Sequence, residues 1–254
     1  MAQVDEHKLM TPSWIDIGTD VEGAKAFYRP LFGWDADDAG PAEETGGYGF
    51  FTKDGKMVAG YGPQQNPGPP FWSTYIGVAD ADAIAAKVAD AGGTVIMPPM
   101  DVMDAGRMAI FQDPTGAFIS VWQAGNHRGA QVVQEPGAFS WCELNTRDVP
   151  AATAFYTAVF GWQAVTQDGG PMPYTEFKVD GESVAGMMPM PPGVPDEVPA
   201  YWMVYFGTDA LDETTAKAEE LGATPIVPGM DYPGGRFAVL NDPQGAMFAL
   251  MQPR

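Results

Sequence analysis

Apolar and polar residues near the start of the chain change from strand-like to helical spacing. The segment SWIDIGT, residues 13–19, is typical of a strand. After Asp20, whose side chain suits a helix N-cap, apolar side chains recur with helical spacing at residues 21, 24, 27, 28 and 31. The pattern therefore predicts a strand followed directly by an amphipathic helix.

The same order of elements returns further along the chain. Asp148 suits an N-cap, Pro150 falls in a first helical turn, and apolar side chains follow with helical spacing at residues 152, 155, 156 and 159. Between these regions, a strand WSTYIGV precedes a helix over 80–91 that ends at Gly92, and strands follow over about 94–100, 106–112 and 117–123. The predicted unit is one strand, one helix and three strands, and the chain contains four such units.

The two halves of the chain repeat one another. FYRPLFGW at 27–34 returns as FYTAVFGW at 155–162, and GRMAIFQDPTGAFISVWQ at 106–123 returns as GRFAVLNDPQGAMFALMQ at 235–252. The offset drifts only between 126 and 130 residues, and self-similarity at a nearly constant offset indicates duplicated structural units. The sequence therefore predicts two copies of one domain, over 11–125 and 137–253, with a linker over 126–136.

Net charge and composition restrict the partners. The chain has 33 acidic residues against 13 basic ones, a net charge of −20, which would repel nucleic acid and anionic membranes. No apolar run approaches the roughly 20 residues of a membrane-spanning helix, and the first residues lack the pattern of a secretion signal. Cys142 is the single cysteine, so no disulfide forms within the chain. These features predict a cytoplasmic protein that binds neither nucleic acid nor membrane.

The repeated helix phrase and the repeated hairpin sequence DP(T/Q)GA resemble the vicinal oxygen chelate superfamily. This superfamily includes glyoxalase I, bleomycin-resistance proteins and extradiol dioxygenases, and more narrowly the chain resembles actinobacterial two-domain glyoxalase-like proteins. The resemblance covers nearly the whole chain. It implies an α+β fold in which four βαβββ units form two tandem domains, each a curved sheet around a cavity. Because this scaffold supports many chemistries, the site must be argued from its own residues.

Metal-using members of the superfamily hold a divalent ion with His, Gln and Glu side chains on the first and last strands of their units. In this chain the corresponding positions carry other residue types: Trp14, Trp141, Ser73, Met203, Ser120 and Ala249. Indole, thioether and methyl groups are poor ligands for such ions. The only histidines, His7 and His127, fall in the predicted tail and linker. The resemblance implies a metal site, but the residues at these positions do not suit it, so the chain is predicted to use no metal and no other cofactor.

Strand alternation predicts which side chains face each cavity, because residues two positions apart share a face. The predicted lining of the first cavity is Trp14, Asp16, Ser73, Tyr75, Ser120 and Trp122. The predicted lining of the second cavity is Trp141, Glu143, Met203, Tyr205 and Met251. Each set is aromatic or rich in methionine and has one acidic residue, which favours a planar or apolar organic ligand that could be cationic.

Several of these residues have an alternative interpretation. The tryptophans are equally consistent with an ordinary core. Asp16 and Glu143 occupy equivalent positions, so they could make a shared structural hydrogen bond or, if desolvated, act as general bases. Arg107 and Arg236 each follow a glycine, and a salt bridge within the hairpin, with Asp101 or Asp231, is predicted over substrate-anion binding. Cys142 should point away from the cavity as a small buried hydrophobe.

Three functional hypotheses follow. The first is a metal-free two-domain protein that binds a small aromatic or apolar metabolite, or an antibiotic-like compound. The second is a lyase, isomerase or hydroxylase-type enzyme that uses Asp16 or Glu143 as a general base, or an unrecognised metal. The third is a mainly structural role in which the cavities are filled by their own side chains. The duplication is compatible with a monomer of paired domains or with a homodimer.

Overall fold

The computed structural model describes residues 4–65, 67–167 and 172–254. The first half of the chain forms two units in sequence. Their elements are β1 (Pro12–Thr19), α1 (Val21–Phe32), β2 (Asp35–Asp38), α2 (Ala42–Thr45), β3 (Gly49–Lys53) and β4 (Lys56–Pro63), then β5 (Phe71–Gly77), α3 (Ala81–Asp90), β6 (Thr94–Val102), β7 (Gly106–Gln112) and β8 (Phe118–Ala124). The one-turn helix α2 was not predicted.

The second half repeats this order without a counterpart of α2 among its described residues. Its elements are β9 (Phe139–Thr146), α4 (Val149–Phe160), β10 (Gln163–Gln167), β11 (Tyr174–Val179) and β12 (Glu182–Pro189), then β13 (Tyr201–Gly207), α5 (Leu211–Glu220), β14 (Thr224–Tyr232), β15 (Gly235–Asn241) and β16 (Met247–Pro253). Within the described ranges no helix has the length and apolar character needed to cross a membrane.

Each half forms one eight-stranded sheet with the same strand order. The first sheet runs β2-β3-β4-β1-β5-β8-β7-β6 and the second β10-β11-β12-β9-β13-β16-β15-β14. In each sheet the two units meet where β1 pairs antiparallel with β5, or β9 with β13. The predicted α+β fold of four βαβββ units is confirmed.

The repeated phrase FYxxxFGW forms the end of a helix and its exit. The carboxylates of Asp20 and Asp148 accept hydrogen bonds from backbone N–H groups in the first turns of α1 and α4, as predicted for N-caps. Both helices end at a glycine with positive φ, Gly33 at 70° and Gly161 at 71°, where a side chain would be strained. The chain can therefore turn directly into the next strand.

The two faces of each sheet bury different side chains. In β1, Ile15 and Ile17 point to the face that carries the helices, whereas Trp14 points to the opposite face. In β9, Cys142 is fully buried on the helix side and Trp141 faces the other way. The predicted orientation of Cys142 is confirmed.

The helix-bearing faces of the two sheets pack against each other in one core. The ring of Trp72 in β5 lies 5.1 Å from the ring of Phe206 in β13. The ring of Phe27 in α1 lies 5.9 Å from the ring of Phe248 in β16. Since these contacts join the halves, a single hydrophobic core stabilises both sheets.

The two repeated motifs meet across the halves. The Tyr28 hydroxyl of α1 donates a hydrogen bond of 2.9 Å to Asp242, in the turn before β16, and accepts one of 3.0 Å from the Trp72 indole N–H. The Tyr156 hydroxyl of α4 likewise donates at 2.9 Å to Asp113, in the turn before β8. The helix phrase of each half therefore binds the DPxGA turn of the other half.

Candidate ligand-binding site

The face of the first sheet opposite the helices carries a hydrogen-bonded cluster around one carboxyl group. Asp16 Oδ2 accepts hydrogen bonds from the hydroxyls of Tyr75 at 2.9 Å and Tyr48 at 3.1 Å. The indole N–H of Trp14 donates to the Tyr48 hydroxyl at 3.0 Å. We call the side chains of this face the N-terminal cup: Trp14, Asp16, Tyr48, Phe50, Ser73, Tyr75, Ser120 and Trp122.

The second sheet repeats this cluster with a glutamate. Glu143 Oε1 accepts a hydrogen bond of 3.0 Å from the Tyr205 hydroxyl, and Glu143 also bonds Tyr174. The Trp141 indole N–H donates to the Tyr174 hydroxyl at 3.0 Å. We call the side chains of this face the C-terminal cup: Trp141, Glu143, Tyr174, Tyr201, Met203, Tyr205, Phe237, Ala249 and Met251.

Burial raises the pKa of both carboxyl groups. The pKa of Asp16 is about 6, because desolvation outweighs the hydrogen bonds from Tyr75, Tyr48 and Ser73 that favour the ionised form. The pKa of Glu143 is also raised, again chiefly by desolvation. Each cup therefore holds a carboxyl group that gives up its proton less readily than one in water.

The structure places the predicted site residues on the expected faces. Ser73 bonds Asp16, and Ser120 bonds the Tyr75 hydroxyl, so both serines belong to the N-terminal cluster. Met203, Tyr205 and Met251 pack together in the C-terminal cup. Strand alternation thus brings together side chains that lie far apart in sequence.

Sequence reasoning missed the second tyrosine of each cluster. Tyr48 lies just before β3 and Tyr174 begins β11, on strands whose facing was not assigned from the sequence. A usable signal was present, because Tyr48 and Tyr174 are 126 residues apart, the same offset that relates DGKMVAG at 54–60 to DGESVAG at 180–186. Extending the repeat to these strands would have found both residues.

His127, from the predicted linker, enters the N-terminal cup. Its ring centroid lies 4.4 Å from that of Trp14 and 5.5 Å from those of Trp122 and Phe50. The residue is 9% exposed, and neither ring nitrogen has a hydrogen-bond partner among the described residues. Burial, with a smaller effect of His7, lowers the pKa of His127 to about 4. The sequence did not predict this contact.

The C-terminal cup is more open. Trp141 is half-buried, whereas its equivalent Trp14 is only 2% exposed. No aromatic ring in the described part of the chain packs on Trp141 in the way that His127 packs on Trp14. The rings of Tyr201 and Phe237 are also half-buried there. Aromatic surface is therefore accessible around Glu143.

Comparison with known proteins identifies the fold family. The sequence profile of the Glyoxalase/Bleomycin resistance protein/Dioxygenase superfamily matches residues 17–121 and 138–250, one match in each half. The chain belongs to this family. It is a two-domain glyoxalase-like protein, which agrees with the resemblance drawn from the repeated motifs.

Relatives of this glyoxalase-like protein span its whole length. CFP32 of Mycobacterium tuberculosis, named provisionally as a glyoxylase, is 43% identical over 100% of this chain and 98% of its own. The anthracycline biosynthesis protein DauV of Streptomyces sp. is 39% identical over 96% of this chain and 93% of its own. The crystal structure of the Mn(II)-bound glyoxalase from Novosphingobium aromaticivorans has a TM-score of 0.66, with 17% identity over 96% of this chain and 82% of that one. This last similarity concerns the fold alone.

The residues present do not fit the metal that the glyoxalase-like family implies. The indole N–H groups of Trp14 and Trp141 already donate to tyrosine hydroxyls, and an indole N–H offers no lone pair to an ion. The equivalent positions on later strands carry Ser73, Met203 and other poor donors. Across the described residues, no three His, Cys, Asp or Glu side chains converge as a metal site requires.

The two hairpin arginines of the glyoxalase-like protein form ion pairs away from the cups. Arg107 bonds Asp101 at 2.8 Å, as predicted, and also Asp82 of α3 at 2.7 Å. Arg236 bonds Asp212 of α5 at 2.8 Å and lies 3.8 Å from Asp231. These arginines tie each outer hairpin to its helix, so the structural interpretation is confirmed.

Proposed function

We propose that this two-domain glyoxalase-like protein binds a small aromatic or apolar organic compound in a cup, without the metal ion of its family. The observation that carries the proposal is the replacement of metal-binding side chains by rings and thioethers on the face of each sheet opposite the helices. An accessible apolar lining with one polar anchor is the usual character of a pocket for an organic ligand.

The names of two relatives support this class of ligand. DauV and DnrV are named for anthracycline biosynthesis, and anthracyclines are polycyclic aromatic compounds. Because they share the length and 39% of the residues of this chain, a planar aromatic ligand is a reasonable class for this protein also. Binding, sequestration or presentation of such a compound would need no metal.

Tryptophan fluorescence tests the proposal directly. We expect saturable quenching when planar aromatic compounds are titrated into the protein, and we expect Trp141→Phe to remove most of that signal. Trp34→Phe, which changes a tryptophan of the shared core, is the matched control and should retain the quenching. No response across a broad aromatic panel, or a stoichiometric divalent ion in the purified protein, would contradict the proposal.

A second candidate function is proton transfer without a cofactor. It is favoured by the pKa of Asp16 at about 6, because a general base works best when its pKa is near the working pH. On this proposal Asp16→Asn or Glu143→Gln would abolish turnover of a bound carbonyl compound while leaving its binding measurable. Retained turnover in both variants would exclude this role.

A further inference from the structure

The N-terminal cup is occupied by the chain itself. The Ala130 N–H donates to the Ser13 carbonyl at 2.8 Å, and the Gln131 N–H donates to the Met57 carbonyl at 2.7 Å. The Gln131 side chain accepts a bond of 2.8 Å from the Met57 N–H. These bonds hold the segment 126–131 over the sheet, with the His127 ring inserted between aromatic side chains. An aromatic guest would have to displace this segment.

The C-terminal cup presents the same carboxyl-centred cluster without such a covering ring in the described ranges. Trp141, Tyr201 and Phe237 are half-buried on this face, with methionines 247 and 251 beside them. The surface combines flat rings with flexible thioethers, which adapt to the outline of a ligand. It is therefore the more accessible of the two cups.

The Glu143 carboxylate indicates which class of ligand would suit the C-terminal cup. Glu143 is 6% exposed, and its partners are the neutral groups of Tyr205, Tyr174 and Asn145. No Lys, Arg or His among the residues that the structure describes contacts its carboxyl group. A buried carboxylate without a positive partner is costly, and a cationic ligand would supply that partner.

We propose that the C-terminal cup binds one aromatic amine per chain, with the cationic nitrogen paired to Glu143 and the rings against Trp141 and Tyr201. This inference rests on the proposed function and specifies its site and ligand class. The tyrosine and tryptophan faces add cation–π attraction to the ion pair. The net charge of −20 favours the approach of a cation from solution.

Two acridines distinguish the effect of ligand charge on binding from the effect of ring stacking. Near neutral pH 9-aminoacridine is a cation, whereas acridine is mostly neutral and has the same ring system. In buffer with enough salt to screen the surface charge, we expect 9-aminoacridine to bind at least about tenfold more tightly, with one molecule per chain. This comparison uses the unaltered protein.

Glu143→Gln should remove the preference for the cation while leaving the affinity for acridine within about twofold, because glutamine keeps an acceptor for Tyr205. Glu219→Gln is the matched control, since it removes one carboxylate from the exposed face of α5 in the same half. It should retain the full preference. Far-UV circular dichroism checks that both variants are folded.

The outcomes separate the two proposals. Equal affinity for the two acridines, an unchanged preference in Glu143→Gln, or two cations bound per chain would overturn the amine inference while aromatic binding stood. Failure of both acridines and of the wider aromatic panel would overturn the proposed function itself. A cation preference that Glu219→Gln also loses would indicate attraction to the surface rather than to Glu143.

Discussion

The carboxyl groups of the two cups are held by phenol hydroxyls rather than by basic side chains. Their position on the sheet could be predicted from sequence, because strand alternation is a local rule that places Asp16 two residues from Trp14 on one face. Their protonation could not be predicted, because it depends on burial by residues from distant strands. The free energy of unfolding of an Asp16→Asn variant tests whether the Asp16 carboxylate acts as a structural hydrogen-bond acceptor.

Asp16→Asn should stabilise the protein above about pH 6 and have little effect near pH 4. The pKa of Asp16 is about 6 in the folded protein and 3.8 in the unfolded chain, so the unfolded chain ionises first and folding is penalised as pH rises through this range. Removing the charge should raise the free energy of unfolding by about 1–3 kcal/mol at neutral pH. Urea unfolding at both pH values measures this. Equal destabilisation at both would instead show that the carboxylate is a structural hydrogen-bond acceptor.

Among the elements, the segment 126–136 between the halves has the structure that differs most from the sequence-based prediction. Its polar, glycine-bearing start indicated a simple linker over 126–136, yet His127 is buried and Ala130 packs in the N-terminal cup. Sequence could not show this, because the segment has no periodicity and the contacts that hold it over the sheet are made with Ser13 and Met57, which are remote in sequence. The helices and strands, whose patterns are local and repeated, were predicted within a few residues of their observed bounds.

His127→Leu should reduce the amount by which the free energy of unfolding falls as the pH is lowered. The pKa of His127 is about 4 in the folded protein and 6.5 in the unfolded chain, so the unfolded chain takes up a proton first as pH falls through this range. The contribution of neutral His127 to the free energy of unfolding is fully present above about pH 6.5 and falls by about 3 kcal/mol towards pH 4. A leucine does not titrate, so its contribution does not change with pH.

Urea unfolding of wild type and His127→Leu at about pH 7.5 and pH 5 measures this difference. Asp16 acts in the opposite direction over nearly the same range, so the wild-type profile alone would conceal both effects. A variant that is less stable than wild type by the same amount at both pH values would show that the imidazole nitrogens have partners in solution.

At the scale of the whole molecule, two halves share one core and are tied by two equivalent contacts. The repeat indicated duplication, but it could not show that the repeated phrases of one half bind those of the other. In the sequence, Phe27 and Tyr28 look like part of the apolar face of an ordinary amphipathic helix, and Asp242 looks like an ordinary turn residue. Their pairing depends on the relative placement of the two sheets.

Tyr28→Phe and Tyr156→Phe should each lower the free energy of unfolding by about 1–3 kcal/mol. Each change leaves a buried aspartate oxygen and an indole N–H without a hydrogen-bond partner. Thermal or urea unfolding should remain a single transition in both variants, because the core extends through both halves. A large effect in one variant and none in the other, or two separate transitions, would contradict this equivalence.

The reciprocal tyrosine–aspartate contacts imply a history for the molecule. Each half carries both a donor tyrosine and an acceptor aspartate, so one half possesses everything needed to join a second copy of itself about a twofold axis. An ancestral single-domain polypeptide could have assembled in this way before gene fusion. In a fused chain the two copies need not be identical, and these two differ, since the first receives the imidazole of His127 from the joining segment and the second has no such ring among the described residues.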